Sequence, residues 1–153
     1  MNVTRGSVRM IDIMSKPVVT ASENENIMQV AKKMNNKRVS SIVVVNQSNE
    51  PIGIVTEGDI IRRLLTKKKH LFFVKVRHVM SKPVVSVGIN KTLEEAAGIM
   101  ASRRIKRLCV VDDNNKLIGI VSEGDIVRNA GYVIDVLKEM INSGYTETGY
   151  VER

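Results

Sequence analysis

The sequence predicts an α/β fold of the α+β kind: two pseudo-symmetric helix–strand–strand–helix repeats sharing a core, followed by a C-terminal helix. Three observations predict it. Residues 14–62 align without a gap to residues 80–128 at a constant offset of 66, and 22 of the 49 pairs are identical. Each copy opens with apolar residues at helical spacing and continues with two β-branched runs. The composition is that of a packed chain: of 153 residues 43% are apolar and 26% charged, with three Pro and ten Gly. That balance excludes a disordered or collagen-like chain. Two copies are too few for a solenoid, so they are expected to bury a common core as a two-fold pseudo-symmetric pair.

The elements follow in order. Each copy is led by Met-Ser-Lys-Pro-Val-Val, at Met14 to Val19 and again at Met80 to Val85. The proline favours an extended residue before it. Ile27, Val30, Ala31 and Met34 then mark a helix, as do Leu93, Ala96, Ala97 and Met100. Thr92 with Glu95 forms a capping box, and Asn26 with Gln29 a looser version of one. Strands are predicted from Val39 to Val45 and Ile52 to Thr56, then from Ile105 to Val111 and Leu117 to Ser122. The turns between them, 46–49 and 112–115, are rich in Asn, Asp and Ser. A further helix opens at Gly58-Asp59 and at Gly124-Asp125. Between the copies, Thr66 to Phe73 is a basic run and then an apolar patch, expected as a solvated helix end followed by a strand or turn packed on the core. From Tyr132 an apolar stripe (Val133, Val136, Leu137, Met140, Ile141) predicts a last amphipathic helix ending near Gly144, with Tyr145 to Arg153 frayed. The chain thus divides into repeat one (8–65), a linker (66–73), repeat two (74–130) and a helix with its tail (131–153), together one module.

Composition narrows the function. The longest uncharged apolar runs, such as Ile42 to Val45, fall far short of the ~20 residues of a membrane-spanning helix. The first residues, Met-Asn-Val-Thr-Arg-Gly-Ser, carry no apolar signal core, so a soluble, cytoplasmic protein is expected. The one cysteine, Cys109, lies in Leu108-Cys109-Val110-Val111 and reads as an inert core thiol. His70 and His78 have no Cys or carboxylate cluster nearby, so no metal site is expected and His78 reads as a surface residue. There is no Walker loop, no Gly-x-Gly-x-x-Gly and no Ser–His–Asp order, and nothing supports an enzyme. With 24 Lys and Arg against 16 Asp and Glu, the net charge is +8, which suits an anionic partner. The charge and the Lys67-Lys68-Lys69 run leave a nucleic-acid-associated or protein-interaction module as the alternative, with nucleic acid the lesser candidate because the five aromatics are not interleaved with the basic residues at strand spacing.

Two constellations carry the chemistry: Gly53-Ile54-Val55-Thr56-Glu57-Gly58-Asp59-Ile60 and Gly119-Ile120-Val121-Ser122-Glu123-Gly124-Asp125-Ile126. In each, a hydroxyl precedes an aspartate by three residues at a strand-to-helix junction. One reading is helix capping by Thr56 or Ser122, with acidic residues favoured in the first turn. The other uses the same physics for a ligand. Free backbone N–H groups and the hydroxyl would donate to a phosphate, while the carboxylate accepts the two hydroxyls of a ribose. That division of labour describes a nucleotide. Arg62 and Arg128 follow the aspartates at i,i+3 and read as local ion pairs.

The tandem copies, each closing on Gly-Ile-Val-(Thr/Ser)-x-x-Asp-Ile, resemble a pair of cystathionine-β-synthase (CBS) domains, a Bateman module, over roughly residues 8–130. The resemblance implies a non-enzymatic regulatory module, stand-alone because the copies take up nearly the whole chain. It would bind AMP, ADP or ATP as a regulatory ligand, or alternatively S-adenosylmethionine or NAD, and signal to a partner protein. It also implies composite clefts, the aspartate of one repeat facing the leading segment and first strand of the other. The first would hold Thr56 and Asp59, backbone near Ile54, the Val84-Val85 segment, and Lys106 with Arg107. The second would hold Ser122 and Asp125, backbone near Ile120, the Val18-Val19 segment, and Ser40 with Ser41. Val19 and Val85 would flank an adenine read by main-chain groups, with no aromatic platform beneath it.

Two further expectations follow. The first cleft presents Lys106 and Arg107 where the second presents Ser40 and Ser41, so the Asp59 cleft should bind AMP or ATP more tightly and lose more affinity with salt. Strand alternation is expected to turn at least one of the two cations toward a cleft or the core. A homodimer is also expected, as in relatives of the family, because Ile60, Ile61, Leu64 and Leu65 give one helix more apolar surface than one face needs.

Overall fold

The computed structural model describes residues 7–67 and 70–142, the side chains of Tyr132, Val133 and residues 135–142 excepted. In chain order the elements are α1 (Met10–Ile13), β1 (Thr20–Ser22), α2 (Ile27–Lys37), β2 (Ser41–Val45), β3 (Pro51–Thr56), α3 (Glu57–Arg63), β4 (Ser86–Gly88), α4 (Leu93–Arg103), β5 (Arg107–Val111), β6 (Leu117–Ser122) and α5 (Glu123–Asn142). Each repeat forms its own three-stranded sheet, ordered β1-β2-β3 and β4-β5-β6. Within each, the first pair is parallel and the second antiparallel, with a register shift at Val44/Val45 and at Val110/Val111. The predicted mixed fold of two matching repeats stands.

Of the four predicted strands, Leu117–Ser122 matches β6 and Ile52–Thr56 falls one residue short of β3, while the two predicted from Val39 and Ile105 begin two residues early. Helices α2 and α4 end on Arg38 and Arg104 in the left-handed conformation, both at φ 53°. The following N–H groups, of Val39 and Ile105, turn back to the carbonyls of Met34 and Met100 at 3.0 Å. This six-to-one closure draws Val39 and Ile105 into the helix terminus and leaves β2 and β5 to start at Ser41 and Arg107. At the other ends Thr92 makes its capping box with Glu95, whereas Asn26 caps through Met28 N–H without Gln29.

The two repeats exchange their leading segments. Met10 is fully buried in the core built by α4, β5 and β6, and Val76, Val79 and Met80 are buried in the core built by α2, β2 and β3. Ser15 pairs its backbone with Ile120, and Ser81 with Ile54, so each leader extends the opposite repeat's last strand. Glycine makes this approach possible. A Cβ on Gly53 would stand 2.5 Å from the Met80 sulfur, and one on Gly119 would stand 2.3 Å from that of Met14. A third, smaller cluster joins the sheets: Val43, Cys109 and Leu117, flanked by Val18, Val45, Val84 and Ile120. The shared core is this seam, while most apolar burial lies within each exchanged half. Cys109 is 1% exposed there, and burial pushes its thiol up to about 12.

Other expectations are revised. Helix α5 runs unbroken from Glu123 to Asn142, so the motif helix and the last amphipathic helix are one element. The side chains of its stripe residues Val133, Val136, Leu137, Met140 and Ile141 lie outside the described residues, as do Gly144 and the tail 145–153. In the linker Leu71 packs on the first core, but Phe72 and Phe73 stand 77% and 85% exposed on a 3-10 turn. The apolar patch therefore packs through one residue of three. Lys68 and Lys69 of the basic run also lie outside the described residues.

Candidate ligand clefts

The strand-to-helix junctions fix the two aspartates first. Thr56 donates both its N–H and its hydroxyl to Asp59 Oδ2, each at 3.0 Å, and its oxygen accepts the Asp59 N–H at 3.2 Å. Ser122 treats Asp125 in the same way at 2.7, 2.9 and 3.2 Å. The capping reading is therefore realised at both sites, and it holds each carboxylate in one orientation. It also revises the ligand reading of the hydroxyls. Each already donates to its aspartate, so it has no proton to offer a phosphate.

The helix N-termini are likewise engaged. Glu57 N–H bonds the Ser40 carbonyl at 3.1 Å and Glu123 N–H the Lys106 carbonyl at 2.8 Å. With the Asp N–H groups bound to Thr56 and Ser122, two donors of each first turn are already used. Cationic side chains are left as the main attraction for an anion.

Two clefts lie between the repeats. One, of about 650 Å³, is lined by all seven residues of the first predicted set: Ile54, Thr56, Asp59, Val84, Val85, Lys106 and Arg107. The other, of about 310 Å³, is lined by all seven of the second: Val18, Val19, Ser40, Ser41, Ile120, Ser122 and Asp125. Within each cleft the free peptide groups are not the expected ones. Ile54 exchanges both backbone hydrogen bonds with Ser81, and Ile120 with Ser15, so neither offers its N–H to a base. The peptide groups of Val84 and Val18 make no hydrogen bond among the described residues. These are the free main-chain donors and acceptors beside the apolar walls.

Sequence reasoning missed several cations. The first cleft adds Arg62 and Arg104 to Lys106 and Arg107, against Glu57, Asp59 and Glu123. The second holds Arg38, Arg107 and Arg128 against Asp125 alone. The second cleft thus has three guanidinium groups, not neutral hydroxyls only, and the expected charge contrast does not hold. Arg38 and Arg104 are identical pairs in the repeat alignment, which was the available signal. Lys106 and Arg107 both line the first cleft, because Lys106 precedes β5 and strand alternation does not apply to it. Lys106 is exposed and 3.7 Å from Glu123.

The ion pairs also differ from expectation. Arg128 pairs with Asp125 Oδ1 at i,i+3 as predicted. Asp59 instead meets Arg63 at i,i+4, 3.7 Å away, while Arg62 folds back over Gly58. Arg63 also donates to the carbonyls of Val79 (2.7 Å) and Met80 (3.1 Å) and to Ser81 Oγ (3.0 Å), clamping the exchanged leader. Asp59 is 6% exposed and, among the described residues, its Oδ1 is met only by Arg63 at 3.7 Å, whereas Asp125 Oδ1 is paired with Arg128. His78 is exposed against Arg77. Among the described residues there is no group of three or more His, Cys, Asp or Glu that could hold a metal ion, and no helix long and apolar enough to cross a membrane.

The comparisons with known proteins agree with the fold of two matching repeats. The family model for the CBS domain matches residues 10–66 and again residues 76–132. An uncharacterized protein of Methanopyrus kandleri is 37% identical over 133 residues, 87% of this chain and 68% of that protein. The CBS domain-containing protein YhcV of Bacillus subtilis is 38% identical over 118 residues, 77% and 82% of the two chains. Among solved structures, the CBS domain pair of protein MJ0100, in complex with 5'-methylthioadenosine and S-adenosyl-L-methionine, superposes with a TM-score of 0.73 at 29% identity, covering 82% of this chain and 98% of that one. A hexameric CBS-CP12 protein from bloom-forming cyanobacteria gives 0.75 at 28%, covering 84% and 75%. Both repeats match the family model and the paired sheets match its solved structures: the chain belongs to the CBS domain family.

Proposed function

We propose that this CBS pair is a regulatory module that binds an adenosine nucleotide (AMP, ADP or ATP) in its two inter-repeat clefts and acts through a partner protein. CBS pairs are regulatory rather than catalytic modules, and a structural neighbour holds adenosine-containing ligands. One observation carries the reading: each cleft combines a capped aspartate, free valine peptide groups beside apolar walls, and a guanidinium-rich rim. These match ribose hydroxyls, an adenine edge and phosphates in turn. The rim also favours an anionic ligand over one with a sulfonium cation.

S-adenosylmethionine and 5'-methylthioadenosine remain the second reading, because the MJ0100 pair is complexed with both. A thermal-shift panel of AMP, ADP, ATP, NAD, S-adenosylmethionine and 5'-methylthioadenosine separates the two. At 100 times its dissociation constant a ligand stabilises the fold by ~2.7 kcal/mol, a rise of roughly 5–10 °C for a domain of this size. The expected result is a shift with the phosphorylated ligands. Shifts only with the sulfur compounds support the second reading, and silence throughout overturns both.

The module is proposed to pair with a second copy of itself. Ile61, Leu65 and Val127, in and beside the motif helices, are 53%, 56% and 72% exposed, an apolar surface suited to closed two-fold pairing. Light scattering should give twice the 17.1 kDa of one chain, and a constant single-chain mass would contradict pairing.

A further inference from the structure

Arg107 stands where the two clefts meet. It lines both of them, and so does Ser40, whose hydroxyl accepts a hydrogen bond from Arg107 Nη2 at 2.7 Å. The offset of 66 pairs Arg107 with Ser41 and Lys106 with Ser40. The pseudo-two-fold seam therefore carries one guanidinium where a symmetric module would carry two or none. Arg107 makes no ion pair among the described residues, unlike Lys106, Arg63 and Arg128, which face Glu123, Asp59 and Asp125. A neutral serine holds it, and a phosphate oxygen would replace that serine with a stronger, charge-assisted bond.

We infer that Arg107 is a phosphate-binding residue of both clefts, so that the two clefts compete for one guanidinium and filling either weakens the other. This rests on the nucleotide reading above and adds to it. The direction follows from electrostatics. A first nucleotide takes the Arg107 fork and brings its own negative charge to the seam. A second then finds the fork engaged and a like charge nearby. Couplings between sites commonly amount to 5–150-fold in affinity, and a shared guanidinium predicts about tenfold.

The test is calorimetric titration of the full chain with AMP, alongside Arg107→Ala, Arg107→Lys and Asp125→Ala. The wild type should bind two AMP per chain, the second about tenfold more weakly than statistics alone require. Arg107→Ala should weaken the tighter step and close the gap. Arg107→Lys, which keeps the charge but loses the fork, should fall between. Asp125→Ala should leave a single step at the uncontested affinity of the Asp59 cleft, because nothing then competes for Arg107. Two equal, independent wild-type steps overturn the inference but not the nucleotide reading. So does a gap that persists in Arg107→Ala, or a single wild-type step whose stoichiometry that variant leaves unchanged. No AMP binding by any form overturns the reading and the inference together. Far-ultraviolet circular dichroism of each variant checks that an affinity change is not a loss of fold.

Discussion

The two clefts share one sequence pattern and differ in what surrounds it. Both set an aspartate with a hydroxyl cap, face it with an exchanged leader and place an αL arginine on the rim. Yet the Asp59 cleft has about twice the volume of the Asp125 cleft and carries three carboxylates rather than one. Its aspartate meets Arg63 at 3.7 Å through Oδ1, while Oδ1 of Asp125 is paired closely with Arg128. The two copies thus keep the same capped-aspartate geometry while the charged rim around it differs. The difference in charge between the clefts comes from neighbours outside the motif more than from the motif itself.

The largest difference lies behind the clefts, in how the leaders are held. Arg63 clamps the 79–81 leader through three hydrogen bonds, whereas its counterpart at the offset of 66, Asn129, bonds, among the described residues, only the Asp125 carbonyl of its own helix. Arg63→Ala should cost about 3 kcal/mol, given ~1.5–3 kcal/mol for hydrogen bonds to a charged group, and Asn129→Ala under about 1 kcal/mol. Urea denaturation measures both, and equal losses would break the comparison.

The glycines under the leaders come next. A Cβ at Gly119 meets Met14 at 2.3 Å at the sulfur and 2.9 Å at the Met14 Cβ, whereas at Gly53 the corresponding Met80 contacts are 2.5 and 3.2 Å. The methionine sulfur is flexible and its Cβ is not. Gly119→Ala should therefore destabilise by about 2 kcal/mol, as overpacking does, and Gly53→Ala by less. The reverse order in thermal denaturation would contradict the packing account.

The smallest effect concerns the seam, where Cys109 faces a valine counterpart, Val43, at the same offset. Cys109→Val should change stability by less than about 1 kcal/mol at neutral pH. Its effect should grow in alkali. Burial raises the thiol pKa from the ordinary 9.0 to about 12, so the folded state holds its proton while the unfolded state releases it. The wild type then loses stability as pH rises through that window, and the variant lacks this loss. Identical alkaline denaturation curves would show that the thiol is not held as described.

Much of this was legible in the sequence because its signals are local or periodic. The repeat, the helix faces, the β-branched runs and the hydroxyl-x-x-Asp caps each lie within a few residues. Both sets of cleft-lining residues followed from the resemblance on those motifs. What escaped depends on contacts across long separations. Met10 in the second core and Val79 in the first have no local signature. The choice of Arg63 over Arg62 as the partner of Asp59 turns on where the 79–81 leader runs. Arg38 and Arg104 were visible as identities, but their left-handed φ arises from the helix termini that they close. The two-sided position of Arg107 required both clefts to be seen at once. The expected use of the Ile54 main chain failed because Ser81, from the exchanged leader, takes both of its outward backbone hydrogen bonds, a contact with no local signature.

The central claim is that these clefts are built for an anionic adenosine ligand. It is tested most directly by titrating the full chain calorimetrically with AMP and with S-adenosylmethionine, each at low and high salt. The account predicts that AMP binds the more tightly and that its affinity falls as salt screens the guanidinium rim, while that of S-adenosylmethionine changes little. Tighter binding of S-adenosylmethionine, or AMP affinity indifferent to salt, would contradict it.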